Sequence, residues 1–202
     1  ERYLDAAGHL FAERGYHAVS IDDLGTAVGV SGPALYRHFA NKESMLIELL
    51  TTASEQLLAG FEATVAQGED DTTTLRNLIE FHADFAIKER DIIRIQDREL
   101  ANLPPEANHR VRQLQRTYLT GWQQIAAKVR PDASEADLEV RMHAVFGILN
   151  STPYNARLDA TADVRAVLVD AALGALFGAT VTTPERCRPA VRAPWCGALC
   201  VR

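Results

Sequence analysis

Residues 20–45, SIDDLGTAVGVSGPALYRHFANKESM, constrain this chain more than any other stretch. They read as two short helices around a tight turn, followed by the start of a third. Ser20 is placed to cap the first helix, and Asp23, three residues on, completes an acidic variant of the capping box. Ile21, Leu24 and Val28 recur at helical spacing and give that helix one apolar face. Gly29 falls where the helix must stop and turn, because glycine enters the left-handed region without steric cost. Ser31 is able to cap the next helix, and Pro33 lies in its first turn, where a missing N–H loses nothing. Leu35 and Phe39 are four apart and point inward together. Gly32, Pro33, Ala34, Tyr36, Arg37 and His38 are left outside or at the flanks. Small residues followed by an aromatic hydroxyl, an arginine and a histidine suit the major groove of DNA.

Residues 29–42, GVSGPALYRHFANK, closely resemble the helix-turn-helix and following helix start of the tetracycline-repressor (TetR) family. Upstream, FAERGY at 11–16 resembles that family's first helix and its glycine stop. The resemblance covers about the first quarter of the chain. It implies an all-α fold, with an N-terminal three-helix head that binds double-stranded DNA and a divergent C-terminal helical body. It also implies contacts to DNA from Ser31, Gly32, Pro33, Ala34, Tyr36, Arg37, His38 and Lys42. For Tyr36 the resemblance favours a phosphate over rim packing. Arg37 is open to a guanine edge, a phosphate or solvent, and His38 to a phosphate or a helix end. Lys42 follows the N-cap Asn41, where the helix dipole disfavours a cation. A phosphate in front of it would explain the placement. An incidental surface lysine is the alternative, and the resemblance favours the phosphate.

The chain has 202 residues, 47% of them hydrophobic, enough for one large helical domain or for a small head plus a body. A net charge of −6 weighs against indiscriminate nucleic-acid binding but not against a site-specific reader, for which the placement of charge on one face matters. No apolar run reaches membrane length; the longest, 171–181, is too short. No membrane association is expected, and a cytoplasmic location follows as the default. Cys187, Cys196 and Cys200 are not spaced as C-x-x-C and have no histidine nearby, so neither a metal site nor a cofactor is expected.

The expected organisation is a head at 1–45, a connecting helix at about 42–67, a body at 46–180 and a disordered tail at 181–202. Residues 68–74, GEDDTTT, read as a polar turn before a helix at about 73–88. In that helix His82 and Phe85 fall on the apolar stripe, where a satisfied core histidine is the commoner outcome than a ligand contact. A helix at about 106–129 carries Tyr118 and Trp122 one turn apart on one face. With Phe146 they form the candidate lining of an apolar effector pocket, and core filling is the alternative. The pairs Arg94/Arg98 and Arg112/Arg116 are candidates for an anionic effector such as an acyl-CoA, or for a solvated charged face. The helices at about 135–150 and 162–178 are apolar nearly all round, so each must be covered on more than one side. Leu138, Val145, Leu168, Ala171, Gly174, Ala175 and Gly178 are therefore expected at a homodimer interface built as a four-helix bundle. A fully interior helix pair is the alternative.

These readings converge on a ligand-responsive repressor that binds a palindromic operator as a homodimer and is released by a small apolar or amphipathic effector. A regulator controlled by a partner protein, with no small-molecule effector, is the alternative. An all-helical enzyme is disfavoured, because the chain lacks H-E-x-x-H, G-x-S-x-G, a phosphate loop and a di-iron Glu-x-x-His pair.

Overall fold

The computed structural model describes residues 2–30, 35–154 and 163–178. Among these, every regular element is helical. In chain order they are α1 (Arg2–Arg14), α2 (Ile21–Val28), α3 (Lys42–Val65), α4 (Asp71–Lys88), α5 (Arg90–Glu99), α6 (Pro105–Val129), α7 (Glu135–Leu149) and α8 (Val164–Phe177). Short 3₁₀ turns follow α5 and α7. The expected tail at 181–202 lies outside the described residues.

The helix ends follow from local chemistry. Gly15 ends α1 at φ 84°, its N–H bonded to Phe11 O at 3.0 Å. Ser20 and Asp23 form the reciprocal capping box of α2, and Gly29 closes that helix at φ 74°. Asn41 caps α3 with Ser44 as its reciprocal partner. Asp70 caps α4 by accepting from the amides of Thr72 and Thr73, so this helix begins at Asp71, two residues before the expected start. The polar turn of 68–74 is thus half helix. At its C-terminus, α8 offers orphan carbonyls that two arginines satisfy: Arg130 donates to Leu176 O at 2.9 Å and Arg141 to Ala175 O at 2.8 Å. Cations there also oppose the negative end of the helix dipole.

Two hydrophobic clusters hold the fold. One joins Phe11, Leu24, Leu35, Met45 and Leu50 with Ile92, Ile95, Leu103 and Val111. The expected head boundary after residue 45 therefore runs through a shared core, and α5 contributes to it from the body side. The other cluster is the body core, centred on Leu75, Leu78, Ile79, Trp122, Val145 and Leu176.

Helix α3 is locked at its far end by two ring-in-notch contacts. A Cβ on Gly60 would lie 2.0 Å from the Phe81 ring, and one on Gly121 of α6 would lie 2.3 Å from the Phe61 ring. Neighbouring residues of α3 thus engage α4 through a glycine and α6 through a ring. Gly121→Ala should gain up to ~1 kcal/mol of helix propensity and lose ~1–3 kcal/mol by overpacking, a net destabilisation. In urea titrations, Phe61→Leu in the same chain should restore most of the loss; an additive double mutant would contradict this packing.

Candidate DNA interface and effector cavity

The reading segment projects from the head as the sequence suggests. Leu35 is buried and accepts from the amides of His38 and Phe39 at 3.0 and 3.1 Å, which turns the three side chains between them outward. Tyr36 is 53% exposed, and Arg37 and His38 are exposed beside it. The His38 ring stacks on Tyr3 of α1 at 5.0 Å between centroids, which holds it at the flank of the reading segment. Ser31, Gly32, Pro33 and Ala34 lie outside the described residues.

Lys42 is a correction. Its ammonium does not project forward to meet a phosphate. It donates to Tyr16 O at 2.7 Å and Val19 O at 2.8 Å, and sits 4.3 Å from the centre of the Tyr16 ring. The loop between α1 and α2 exposes carbonyls with no helical partner, and a long cationic side chain from the start of α3 reaches back to collect them. The cation at the helix start is thus offset by loop carbonyls. Sequence spacing could not reveal this contact, because it closes over more than twenty residues.

In the body, a cavity of about 560 Å³ lies between α3, α4, α5, α6 and α7. His82, Phe85, Tyr118 and Phe146 line it. Trp122 does not: it is fully buried behind the wall, with its ring 5.0 Å from Phe146. The lining that sequence reasoning missed comes largely from α5, notably Ile93, Gln96 and Asp97, with Gln115 of α6 and Asn150 just beyond α7. The signal was faint, since polar residues on short amphipathic helices usually face solvent.

His82 combines the two readings open to it. It is a satisfied buried histidine and also part of the cavity wall. Its Nε2 lies 3.0 Å from Asn150 Oδ1 and its Nδ1 lies 2.9 Å from the Tyr118 hydroxyl. The amide oxygen can only accept, so Nε2 carries the proton, Nδ1 accepts, and the Tyr118 O–H donates. Burial pushes the imidazole pKa down from 6.5 to about 4, with the Asn150 bond opposing in part. Burial likewise raises the Tyr118 phenol well above its ordinary value. Both rings are therefore neutral at physiological pH.

The arginine pairs do not serve the cavity. Arg94 donates to the carbonyl of Pro153, and Arg98 to Ala12 O at 3.4 Å. Arg112 donates to Asn108 Oδ1 at 2.9 Å on an exposed face, and Arg116 is exposed.

The outer surface of the body carries a further apolar face. Val140 is 69% exposed on α7 and Val167 60% exposed on α8. Ala144 and Gly147 continue that face on α7, and Ala171, Gly174 and Gly178 on α8. Three expected interface residues are corrected: Leu138, Val145 and Leu168 are buried in the body core. Ala175 is half-buried at the edge. The helices are apolar all round because their inner faces build the core and their outer faces remain open.

A head of helix-turn-helix sequence shares its core with a cavity-bearing helical body, the architecture of a DNA-binding regulator. The model for bacterial regulatory proteins of the tetR family matches residues 4–49, and that for the tetracyclin repressor-like C-terminal domain matches 68–154. The chain belongs to the TetR family of transcriptional regulators. The HTH-type transcriptional repressor KstR2 of Rhodococcus jostii is 41% identical over 76 residues, 38% of this chain. That match spans only 37% of the length of KstR2. A TetR-family regulator from Bordetella parapertussis superposes with a TM-score of 0.80 at 23% identity, covering 88% of this chain and 94% of its own. AibR, solved with isovaleryl coenzyme A and operator DNA, superposes with a TM-score of 0.74 at 18% identity, over 88% of this chain and 98% of its own. Among the described residues no helix is long and apolar enough to cross a membrane.

Proposed function

We propose that this protein is a repressor that binds a two-fold symmetric operator as a homodimer and leaves it when a small amphipathic molecule fills the cavity. The observation that carries this reading is the double use of α5. Ile93, Gln96 and Asp97 of that helix line the cavity. Its other residues hold the head: Asp91 bonds His9 at 3.1 Å, Glu99 accepts from the Tyr16 amide at 3.4 Å, Arg98 reaches Ala12 O, and Ile95 is buried in the head cluster. A ligand that shifts α5 must therefore strain α1, and with it the reading segment. For this to release DNA, the ligand must bind the two head arrangements with different affinity. A cavity of this size also favours a small-molecule effector over control by a partner protein alone.

At 18% identity the likeness to AibR carries the fold and not the ligand. The expectation of an acyl-CoA rested on arginines that the structure directs elsewhere, so it finds no support in the cavity.

The test is a salt-dependent titration against a duplex selected from a random library, with a scrambled duplex as control. Selective binding supports the reading, and equal weak binding on both duplexes overturns it. Tyr36→Phe and Arg37→Ala should each weaken binding, but only the lost Arg37 cation should lower the salt slope, by roughly one if it meets a phosphate, because a neutral hydroxyl releases no counterion. Lys42→Met should behave differently. It should leave the salt slope unchanged and lower thermal stability, by ~1–3 kcal/mol for the two bonds lost. A reduced slope in Lys42→Met would return that residue to the DNA interface.

A further inference from the structure

The polar groups of the cavity restrict the chemistry of what it binds. Nineteen described residues line it, and none is a lysine or an arginine. Of the two histidines in its wall, His82 is held neutral by burial, which outweighs the opposing Asn150 bond, and His143 donates from Nδ1 to Glu139 O at 2.9 Å. The lining does contain one carboxylate, Asp97, which accepts from the Tyr154 hydroxyl at 2.6 Å. A ligand carboxylate would enter with no lysine or arginine to meet it and with a like charge in the wall.

What the wall offers instead is amide and hydroxyl chemistry. Tyr118 spends its proton on His82, which leaves an oxygen lone pair. Asn150 gives its oxygen to the same ring, so the NH₂ of that amide is its remaining arm. Gln115 contributes a buried Nε2 that has no hydrogen-bond partner. A buried donor left unmatched is costly, and a ligand acceptor would satisfy it. Leu57, Phe85, Ile93, Met142 and Phe146 supply the apolar remainder.

We propose that the cavity takes an uncharged amphipathic molecule, one with an aliphatic body and a neutral hydrogen-bonding head such as an amide, ester or alcohol, and that it rejects the matching carboxylate. The head group is met by Gln115, Tyr118 and Asn150, and Asp97 enforces the rejection. This inference rests on the reading of the cavity as an effector site, but it concerns binding to the protein and not release of DNA.

The experiment uses the full chain and two probes of equal length, dodecanamide and dodecanoate, in calorimetric titrations below the critical aggregation concentration at pH 7.5. Dodecanamide should bind at least about ten-fold more tightly. Asp97→Asn keeps an acceptor for Tyr154 and should narrow that gap by strengthening dodecanoate alone. Gln115→Leu should weaken dodecanamide several-fold and leave dodecanoate unchanged. Equal or tighter binding of dodecanoate to the unaltered chain would overturn the proposal, as would failure of both probes to bind. Dodecanamide binding that leaves a selected duplex bound would uphold the ligand class and overturn the effector reading, so the two failures are distinguishable.

Discussion

A Gly174→Leu chain should sediment as a folded monomer and lose operator binding. Gly174 lies on the open face of α8, and a Cβ built there meets no atom within 4 Å. The monomer therefore has room for the new side chain, and replacing a mid-helix glycine adds ~1 kcal/mol of helix propensity. Thermal stability of the isolated subunit should hold or rise. In the proposed dimer the partner across the two-fold axis would have no such room, because small residues at 171, 174 and 178 would set a close approach. An isologous interface meets the substitution twice. At ~1–3 kcal/mol for each overpacked contact, the dissociation constant of the dimer should rise by roughly 30-fold to 10⁴-fold. Two half-sites bound by linked heads would become two independent weak events, so operator affinity should fall by about 10²-fold or more. Val140→Glu and Val167→Glu, at the exposed valines of the same face, should act in the same direction. Sedimentation of Gly174→Leu as a dimer at the same protein concentration would move the interface to another surface.

The contrast between Gly174 and Leu168 shows what was legible in the sequence and what was not. Amphipathic stripes and caps fixed most helix ends, because Ser20, Gly29, Asn41 and Gly15 act on their own neighbours. The exposed Tyr36, Arg37 and His38 were readable for the same reason: the turn at Gly29 and the buried Leu35 set their direction locally. The last two helices resisted such reading. When nearly every position is apolar, periodicity cannot separate the face that builds the subunit core from the face left open, and Leu138, Val145 and Leu168 went to the wrong side. Lys42 and Arg94 failed differently. Each is a long cation whose partners are backbone carbonyls far away in the chain, and no local pattern marks a carbonyl as unsatisfied. The cavity was legible by its aromatic wall at Phe85, Tyr118 and Phe146. Its polar lining, on which the ligand class depends, required the packing of α5 against α4 and of α6 against α4 and α7.

The stability of this protein should fall in mild acid through one residue, His82. In the unfolded chain its pKa is about 6.5, and in the fold burial brings it to about 4. Above pH 6.5 the ring is neutral in both states and contributes no pH dependence. Between pH 6.5 and about 4 the unfolded chain takes up a proton that the folded chain refuses, so stability decreases as pH falls. Integrated over that window the loss is about 3 kcal/mol. Local structure explains why the fold refuses the proton. A second N–H on the ring would face the Tyr118 hydroxyl, which now donates to that nitrogen, and the hydroxyl would have to turn its proton elsewhere among Phe61, Trp122 and Phe146. His82→Gln provides the control, since its amide can donate to Asn150 and accept from Tyr118 without titrating. Urea unfolding at pH 7.0 and 4.5, at one protein concentration, should show the unaltered chain losing more stability than His82→Gln by ~2–3 kcal/mol. Equal losses in the two chains would mean that His82 is protonated in the fold at pH 4.5. The neutral donor–acceptor arrangement at the cavity wall would then be wrong, and with it the hydroxyl lone pair that the proposed ligand uses.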